Sequence, residues 1–326
     1  MKLLLVGDPH VTVEEIPDCQ ALLDLVLGTA RQHHPDYVVF LGDLHHGHAV
    51  VRVEVMDFWK RNLAVLGQDG QKSILLVGNH DRPNNVNLKM DALVYESPTT
   101  HVVSEPEAIG DVRFVPWTPS NEEFVAACGD AKVIFAHQEF KGGQFDNGMF
   151  IPNGVDPDSI PATAIVSGHI HKPAMFGTVW YPGSPRWRTA SDANVDRAIW
   201  LVEVQDGQVS DSGPGLGPIS TRGVCRALYH IEDIEGNPAQ ETFPVQEPAR
   251  VTVNVRGGAE YVNTRKAFWA AQGASVATFP TQETVRDVRE SDGLPRALQK
   301  HIAQYKPKYG TPVEVLTKMV NERISI

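Results

Sequence analysis

Residues 73–83 read Ser73-Ile74-Leu75-Leu76-Val77-Gly78-Asn79-His80-Asp81-Arg82-Pro83. The first five form a short apolar run, which reads as a strand buried on both faces. The next four residues have no packing reason to be there: a glycine, then an amide, an imidazole and a carboxylate in succession. The same arrangement recurs on either side. Leu3–Val6 runs into Gly7-Asp8-Pro9-His10, and Tyr37–Leu41 into Gly42-Asp43-Leu44-His45-His46. Lys132–Ala136 stops at His137, and Ala164–Ser167 at Gly168-His169-Ile170-His171. Between the first three runs the apolar residues take helical spacing, at Leu22, Leu23, Val26, Leu27 and Ala30, then at Val55, Met56, Trp59, Leu63 and Leu66. Strands alternating with helices predict an α/β fold, and in such sheets ligands sit beyond the carboxyl ends of the strands.

Those ends bring together Asp8, His10, Asp43, Asn79, His137, His169 and His171. Taken singly, Gly-Asp or a lone histidine is ordinary turn chemistry. Gly-His-x-His is more specific, because alternate residues of an extended segment point to one side. In combination they are a nitrogen and oxygen donor set without sulfur, which suits manganese, iron or zinc better than a thiolate structural site. The set is too large for one tetrahedral ion. Two ions sharing a carboxylate, about 3.5–4 Å apart, are the arrangement that clamps a phosphoryl group.

Composition bounds the class. The 326 residues are 42% apolar and 21% charged, which excludes a disordered, collagenous or coiled-coil chain. Three dispersed cysteines (Cys19, Cys128, Cys225) form no CxxC pair and no disulfide framework. With no signal-peptide core and no membrane-length apolar stretch, the expected location is the cytoplasm, that of the host if the chain is phage-encoded. The net charge of −11 lies wholly in residues 1–204, with 15 basic and 26 acidic side chains. That argues against a protein that wraps nucleic acid by bulk electrostatics.

The ordered series D-x-H, G-D, G-N-H-D, H and G-H-x-H from Asp8 to His171 resembles the calcineurin-like metallophosphoesterases. The resemblance implies a four-layer αββα sandwich with a small C-terminal α+β capping domain. It implies that Asp8, His10 and His171 hold one divalent ion, that Asn79, His137 and His169 hold a second, and that Asp43 bridges them. Manganese would be the commonest choice, with magnesium, iron and zinc as alternatives. His80 would be the catalytic histidine, with Asp81 orienting its ring. Within the superfamily the motif Gly42–His46, the stretch VGNHDRP (77–83) and Tyr181-Pro182-Gly183-Ser184 resemble the SbcD-type DNA-repair nuclease subunit and the recombination endonuclease subunit of tailed phages. That implies metal-dependent hydrolysis of DNA phosphodiesters, with His46 facing the nucleotide, and an SbcC-like ATPase partner, since the chain has no Walker A motif. His45 departs from the family, which usually has phenylalanine there. Arg82, and more weakly Asn84 and Arg186, are candidate phosphate contacts. A small-molecule phosphodiesterase or nucleotide phosphatase would use the same ligands, and a scaffold on this fold is the non-enzymatic alternative.

The division expected along the chain is a metallophosphoesterase domain over 1–205, a Gly/Pro-rich linker over 206–223, an α+β capping domain over 224–290 and C-terminal helices over 291–326. Val112–Trp117, Ala174–Trp180 and Ala198–Val204 read as further strands, and 138–161 as a long Gly/Asn/Pro-rich loop of the kind that is usually functional. Helix 51–66 carries apolar residues on two sides, which fits either a homodimer face or a helix wedged between sheet and loop. The helix expected over 313–324 fits docking of the ATPase or a capping role.

Overall fold

The apolar runs are buried on both faces because two sheets lie face to face, with helices outside them. The computed structural model describes residues 1–280 except 87, 146 and 241–248. The C-terminal helices expected over 291–326 lie outside the described residues. The first half of the chain supplies β1 (Lys2–Val6), α1 (Ile16–His33), β2 (Tyr37–Phe40), α2 (Val53–Gln68), β3 (Ser73–Leu76) and β4 (Thr100–Val103). Next come β5 (Glu107–Ile109), β6 (Val112–Val115), α3 (Asn121–Cys128), β7 (Val133–His137), β8 (Ala164–Gly168), β9 (Ala174–Phe176) and β10 (Val179–Tyr181). The remainder is β11 (Ala198–Gln205), β12 (Gln208–Ser210), β13 (Gly217–Ser220), β14 (Ala227–Ile234), β15 (Ala249–Gly257), α4 (Ala259–Ala271) and β16 (Ser275–Pro280).

The first sheet runs β12-β11-β1-β2-β3-β4, with β13 also on β11, and the second runs β5-β6-β7-β8-β10-β9. Strands β1 to β4 are parallel, as are β6, β7, β8 and β10. Alternation sorts each strand between layers. Leu4, Val6, Val38, Phe40, Leu75 and Val77 face α1 and α2, whereas Leu3, Leu5, Val39, Leu41, Ile74 and Leu76 meet Phe114, Val133, Phe135 and Val166 of the second sheet. The outer face of that sheet carries Ile134, Ala136 and Ile165 under Phe124 and Cys128 of α3 and under Phe140, Ile151 and Val155. The result is the four-layer α/β sandwich, with a thin outer layer of one short helix and the 138–161 segment.

That segment is not structureless. Lys141 N–H donates to the Val155 carbonyl and Val155 N–H to that of Glu139, at 2.9 and 2.8 Å, so its apolar side chains roof the sheet. Ala174–Trp180 is two strands rather than one. Gly177, at φ 53°, turns the chain, and β9 and β10 pair antiparallel. Inside the stretch read as a linker, β12 and β13 both pair with β11. Both apolar rows of α2, Val55/Phe58 and Trp59/Leu63, are spent in one core against the first sheet. No described helix is long and apolar enough to cross a membrane.

Beyond Cys225, β14, β15 and β16 form a parallel sheet with α4 as the crossover between the last two. Val253, Val255, Val262 and Trp269 form its core. Asp233 ties it together, accepting from Arg265 Nε at 2.6 Å and from Trp269 Nε1 at 2.5 Å. The module is fixed to the sandwich by Asn194, whose Nδ2 donates to the His230 carbonyl at 2.8 Å and whose backbone N–H donates to that of Leu228.

Candidate metal centre

The carboxyl ends of β1, β2, β3, β7 and β8 meet along one edge of the sandwich. Trp117 N–H donates to the Val77 carbonyl at 3.0 Å, joining the two sheets there. Three expected ligands sit in the left-handed region without being glycine: His10 at φ 46°, Asp43 at 51° and His169 at 83°. Such backbone persists only where the surroundings over-determine it, and it clusters at functional sites. Close approach between turns requires glycine. A Cβ on Gly78 would stand 2.1 Å from Asp43 Oδ1, and one on Gly168 2.3 Å from the Leu41 carbonyl oxygen.

Asp43 lies at the centre. Its Oδ1 accepts from His80 N–H at 2.8 Å, while its Oδ2 is 3.4 Å from His10 Nε2 and 3.3 Å from His137 Nε2. On one side His10 Nε2 and His171 Nε2 are 2.9 Å apart, and buried Asp8 has an Oδ2 with no hydrogen-bond partner. Asp8 Oδ1 accepts from His169 N–H at 2.7 Å. On the other side His137 Nε2 and His169 Nδ1 both face Asn79 Oδ1, at 3.0 and 2.9 Å, and each other at 3.3 Å.

On this second side the remaining ring nitrogens are committed, whereas buried His10 Nδ1 on the first side has no hydrogen-bond partner. His137 Nδ1 donates to the Leu41 carbonyl at 2.8 Å, and His169 Nε2 to Glu139 Oε1 at 2.9 Å. In the neutral rings the inward nitrogens are then lone pairs facing other acceptors, an arrangement that needs a cation or a proton between them. The residues fit two metal ions. Asp8, His10 and Asp43 form one group whose ligand atoms lie within 4.8 Å of one another, and Asp43, His137 and His169 form another. His171 joins the first and Asn79 the second.

The electrostatics agree with a cation site. Burial would push Asp43 up, yet the His137 and His10 imidazoles outweigh it and hold the carboxylate well below its ordinary range. Burial, opposed by Asp43, keeps His10 well below the usual histidine pKa. Burial also opposes charge on His137, but Asp43 and Asp8 overcome it and raise that pKa to about 9. A metal ion at Nε2 must displace this proton. Loading the second position at pH 8 is therefore expected to release about one proton from His137, and affinity should rise about tenfold per pH unit until that pKa is passed. Calorimetric titration in two buffers of different ionisation heat checks this; identical apparent heats would contradict it.

His80 stands beside these groups. Its Nδ1 donates to the His46 carbonyl at 2.6 Å, its ring stacks on His48 at 4.0 Å, and it meets His10 edge-on at 4.7 Å. Asp81 does not orient it. The buried Asp81 carboxylate accepts from the backbone N–H groups of Gly78 at 3.0 Å and His45 at 3.1 Å, which ties the loop after β3 to the loop after β2. His45, in the family's phenylalanine position, is buried and bonded to the Tyr95 hydroxyl at 2.9 Å. Arg82 is also turned away from the site. It is buried, and its guanidinium donates to the carbonyls of Leu88 and Ser104, so it braces the 82–104 segment instead of meeting phosphate. Asn84 Oδ1 caps Val86 N–H, and buried Arg186 is held by Asp18, Glu15 and the Pro9 carbonyl.

His46 is exposed at the rim, 5.5 Å from the His10 ring, and its Nδ1 accepts from Arg188 Nη1 at 3.3 Å. Two residues at the site escaped the sequence reading. Glu139, which orients His169, follows His137 by two residues, and that H-x-E spacing was the available signal. Arg188 has no local signal, because only the fold carries it to His46.

Residues 1–173, all the strand ends described above among them, match the calcineurin-like phosphoesterase family. The chain belongs to the calcineurin-like phosphoesterases. It is also 30% identical over 206 residues to "Putative phosphoesterase 078R" of Invertebrate iridescent virus 3, a match covering 56% of this chain. The chain spans 57% of that relative's length. Calcineurin-like phosphoesterases are metal-dependent hydrolases of phosphoesters, and the two donor groups around Asp43 are where this member would hold its divalent ions.

Proposed function

We propose that this calcineurin-like phosphoesterase is a two-metal phosphodiesterase acting on DNA, an exonuclease or endonuclease of the SbcD type, with manganese as its preferred ion. The observation that carries the reading is the Asp43 carboxylate, whose Oδ2 is 3.4 Å from His10 Nε2 and 3.3 Å from His137 Nε2, so that this residue would serve both donor sets. Bound divalent ions supply Lewis-acid polarisation of the phosphoryl oxygens and activation of the nucleophile at neutral pH.

The chain's own residues do the rest. Glu139 and the Leu41 carbonyl fix the His169 and His137 rings so that their free nitrogens face inward. The His46 carbonyl accepts from His80 Nδ1 whether that ring is charged or neutral, so Nε2 is the atom that gains and loses the proton given to the departing sugar oxygen. Burial holds the His80 pKa below its usual value despite Asp43, which makes the ring a ready proton donor once charged.

A polymeric substrate is supported by the module beyond Cys225. It is bonded to Asn194, in the same segment that sends Arg188 to His46. A homodimer and an SbcC-like ATPase subunit belong to the same proposal. The net charge of −11 favours a second reading, a small-molecule phosphodiesterase or nucleotide phosphatase, because an acidic surface repels an extended polyanion.

Duplex DNA, single-stranded DNA, bis(p-nitrophenyl) phosphate and cyclic nucleotides tested with manganese separate the two. The expected result is degradation of DNA, absent in the Asp43→Ala protein. Hydrolysis of the small diesters with DNA left intact would move the assignment to the second reading.

A further inference from the structure

Arg186 and Arg188 enter the site region from the same segment, yet their surroundings differ. Arg186 is fully buried with both terminal nitrogens engaged: Asp18 takes Nη1 at 2.9 Å, and the Pro9 carbonyl and Glu15 take Nη2 at 2.8 and 3.3 Å, while its Nε is sealed in the interior without a partner among the described residues. Arg188 donates Nε to Glu15 Oε2 at 3.4 Å and Nη1 to His46 Nδ1 at 3.3 Å, and its Nη2 makes no hydrogen bond among the described residues. Its side chain is only 10% exposed. A guanidinium has five N–H donors in a planar fork that matches a phosphate edge, and this one keeps part of the fork unspent.

Its position is built rather than incidental. The Arg188 and Thr189 backbone N–H groups both donate to Asp192 Oδ2, at 2.9 and 2.7 Å, and Arg197 Nη2 holds Asp192 Oδ1 at 2.5 Å. Asn194, two residues on, is bonded to β14 of the C-terminal module. Glu15 anchors the other end; burial works against its charge, but Arg186 and Arg188 hold its pKa below the ordinary range.

We infer that Arg188 is the substrate-phosphate clamp of this enzyme. Its unspent N–H donors hold a non-bridging oxygen of the phosphoester beside the His10 and His171 side of the centre, while Glu15 and His46 keep the fork planar to the site. The clamp reconciles a chain of charge −11 with an anionic substrate, because the guanidinium is built in at the rim and needs no basic cleft. It rests on the phosphoester-hydrolase reading of the metal centre but not on the choice of DNA.

The test uses the full chain loaded with manganese and the variants Arg188→Gln and Arg188→Lys. Three quantities are measured: metal content, the KM and kcat for bis(p-nitrophenyl) phosphate, and the affinity for inorganic phosphate by calorimetric titration. With glutamine, KM and the phosphate Kd should both rise on the order of tenfold or more while two ions per chain are retained. Lysine keeps the charge but loses the fork, and should fall between glutamine and wild type. If the glutamine variant does not fold, the lysine variant and its phosphate Kd decide. Wild-type KM and phosphate Kd in a folded variant would overturn the inference and leave Arg188 as a strut for Glu15. Should the wild type itself neither bind phosphate nor hydrolyse any diester, the phosphoesterase reading fails first, which separates the two failures.

Discussion

Asp43→Ala is expected to lower phosphodiester hydrolysis by on the order of 10³-fold or more, and to reduce bound metal from two ions per chain to one or none. The size reflects the double duty of the carboxylate. Losing a single preorganised donor at a reacting oxygen typically costs on the order of 10²–10³-fold, and Asp43 touches both donor groups at once. Its removal also strips His10 and His137 of the charge that faces them at 3.4 and 3.3 Å. Asp43→Asn separates charge from shape. The amide oxygen can still accept from His80 N–H, as Oδ1 does at 2.8 Å, so the turn should keep its form. The asparagine protein should fold and lose metal; the alanine protein should lose metal and also loosen the loop at Gly78–Asp81. Elemental analysis beside a bis(p-nitrophenyl) phosphate assay reads both effects. Retention of two ions and of activity in either variant would remove Asp43 from the bridge.

His80→Gln is expected to behave differently, and the contrast is informative. General acid catalysis by a positioned histidine contributes on the order of 10²–10⁴-fold, so kcat should fall within that range. Metal content at the two positions around Asp43 should not change, because the His80 ring belongs to a separate group with His10 and His46 and its Nδ1 is spent on the His46 carbonyl. The loss should depend on the leaving group. A poor leaving group such as a sugar alkoxide needs the proton and should show the full effect, whereas p-nitrophenolate needs it less and should show a smaller one. Equal losses on both substrates, or a drop in bound metal, would recast His80 as a ligand or a structural ring.

Much of the site was legible because the strands of a doubly covered sandwich announce themselves. Leu3–Val6, Tyr37–Leu41 and Ser73–Val77 are apolar at nearly every position, which burial on both faces explains, and polar residues directly after such runs must stand at a strand end. The candidate ligands were therefore legible from local pattern. The residues that were missed depend on contacts that pattern cannot carry. Asp81 follows His80 directly, and adjacency pointed to a partnership. The fold instead turns its carboxylate back onto the N–H groups of Gly78 and His45. Arg82 sits beside the motif too, but burying a guanidinium costs less when carbonyls take its terminal nitrogens, and Leu88 and Ser104 supply them. Arg188 reaches the site across 142 positions of sequence.

Short or glycine-rich elements were the other loss. Helix α3 is eight residues long, and its one clear mark was the capping pair Ser120 and Glu123, with Ser120 Oγ accepting from Glu123 N–H at 3.2 Å. Strands β12 and β13 lie in a Gly/Pro-rich stretch whose composition reads as loop, and they exist because β11 offers them an edge.

The central claim is that one carboxylate, Asp43, joins two metal positions in this phosphoesterase. Crystals of the manganese-loaded protein, with diffraction recorded at the manganese absorption edge, test it most directly. The account predicts two anomalous peaks about 3.5–4 Å apart, one bounded by Asp8, His10 and His171, the other by Asn79, His137 and His169, with Asp43 between them. A single peak, or two peaks that do not share Asp43, would contradict it.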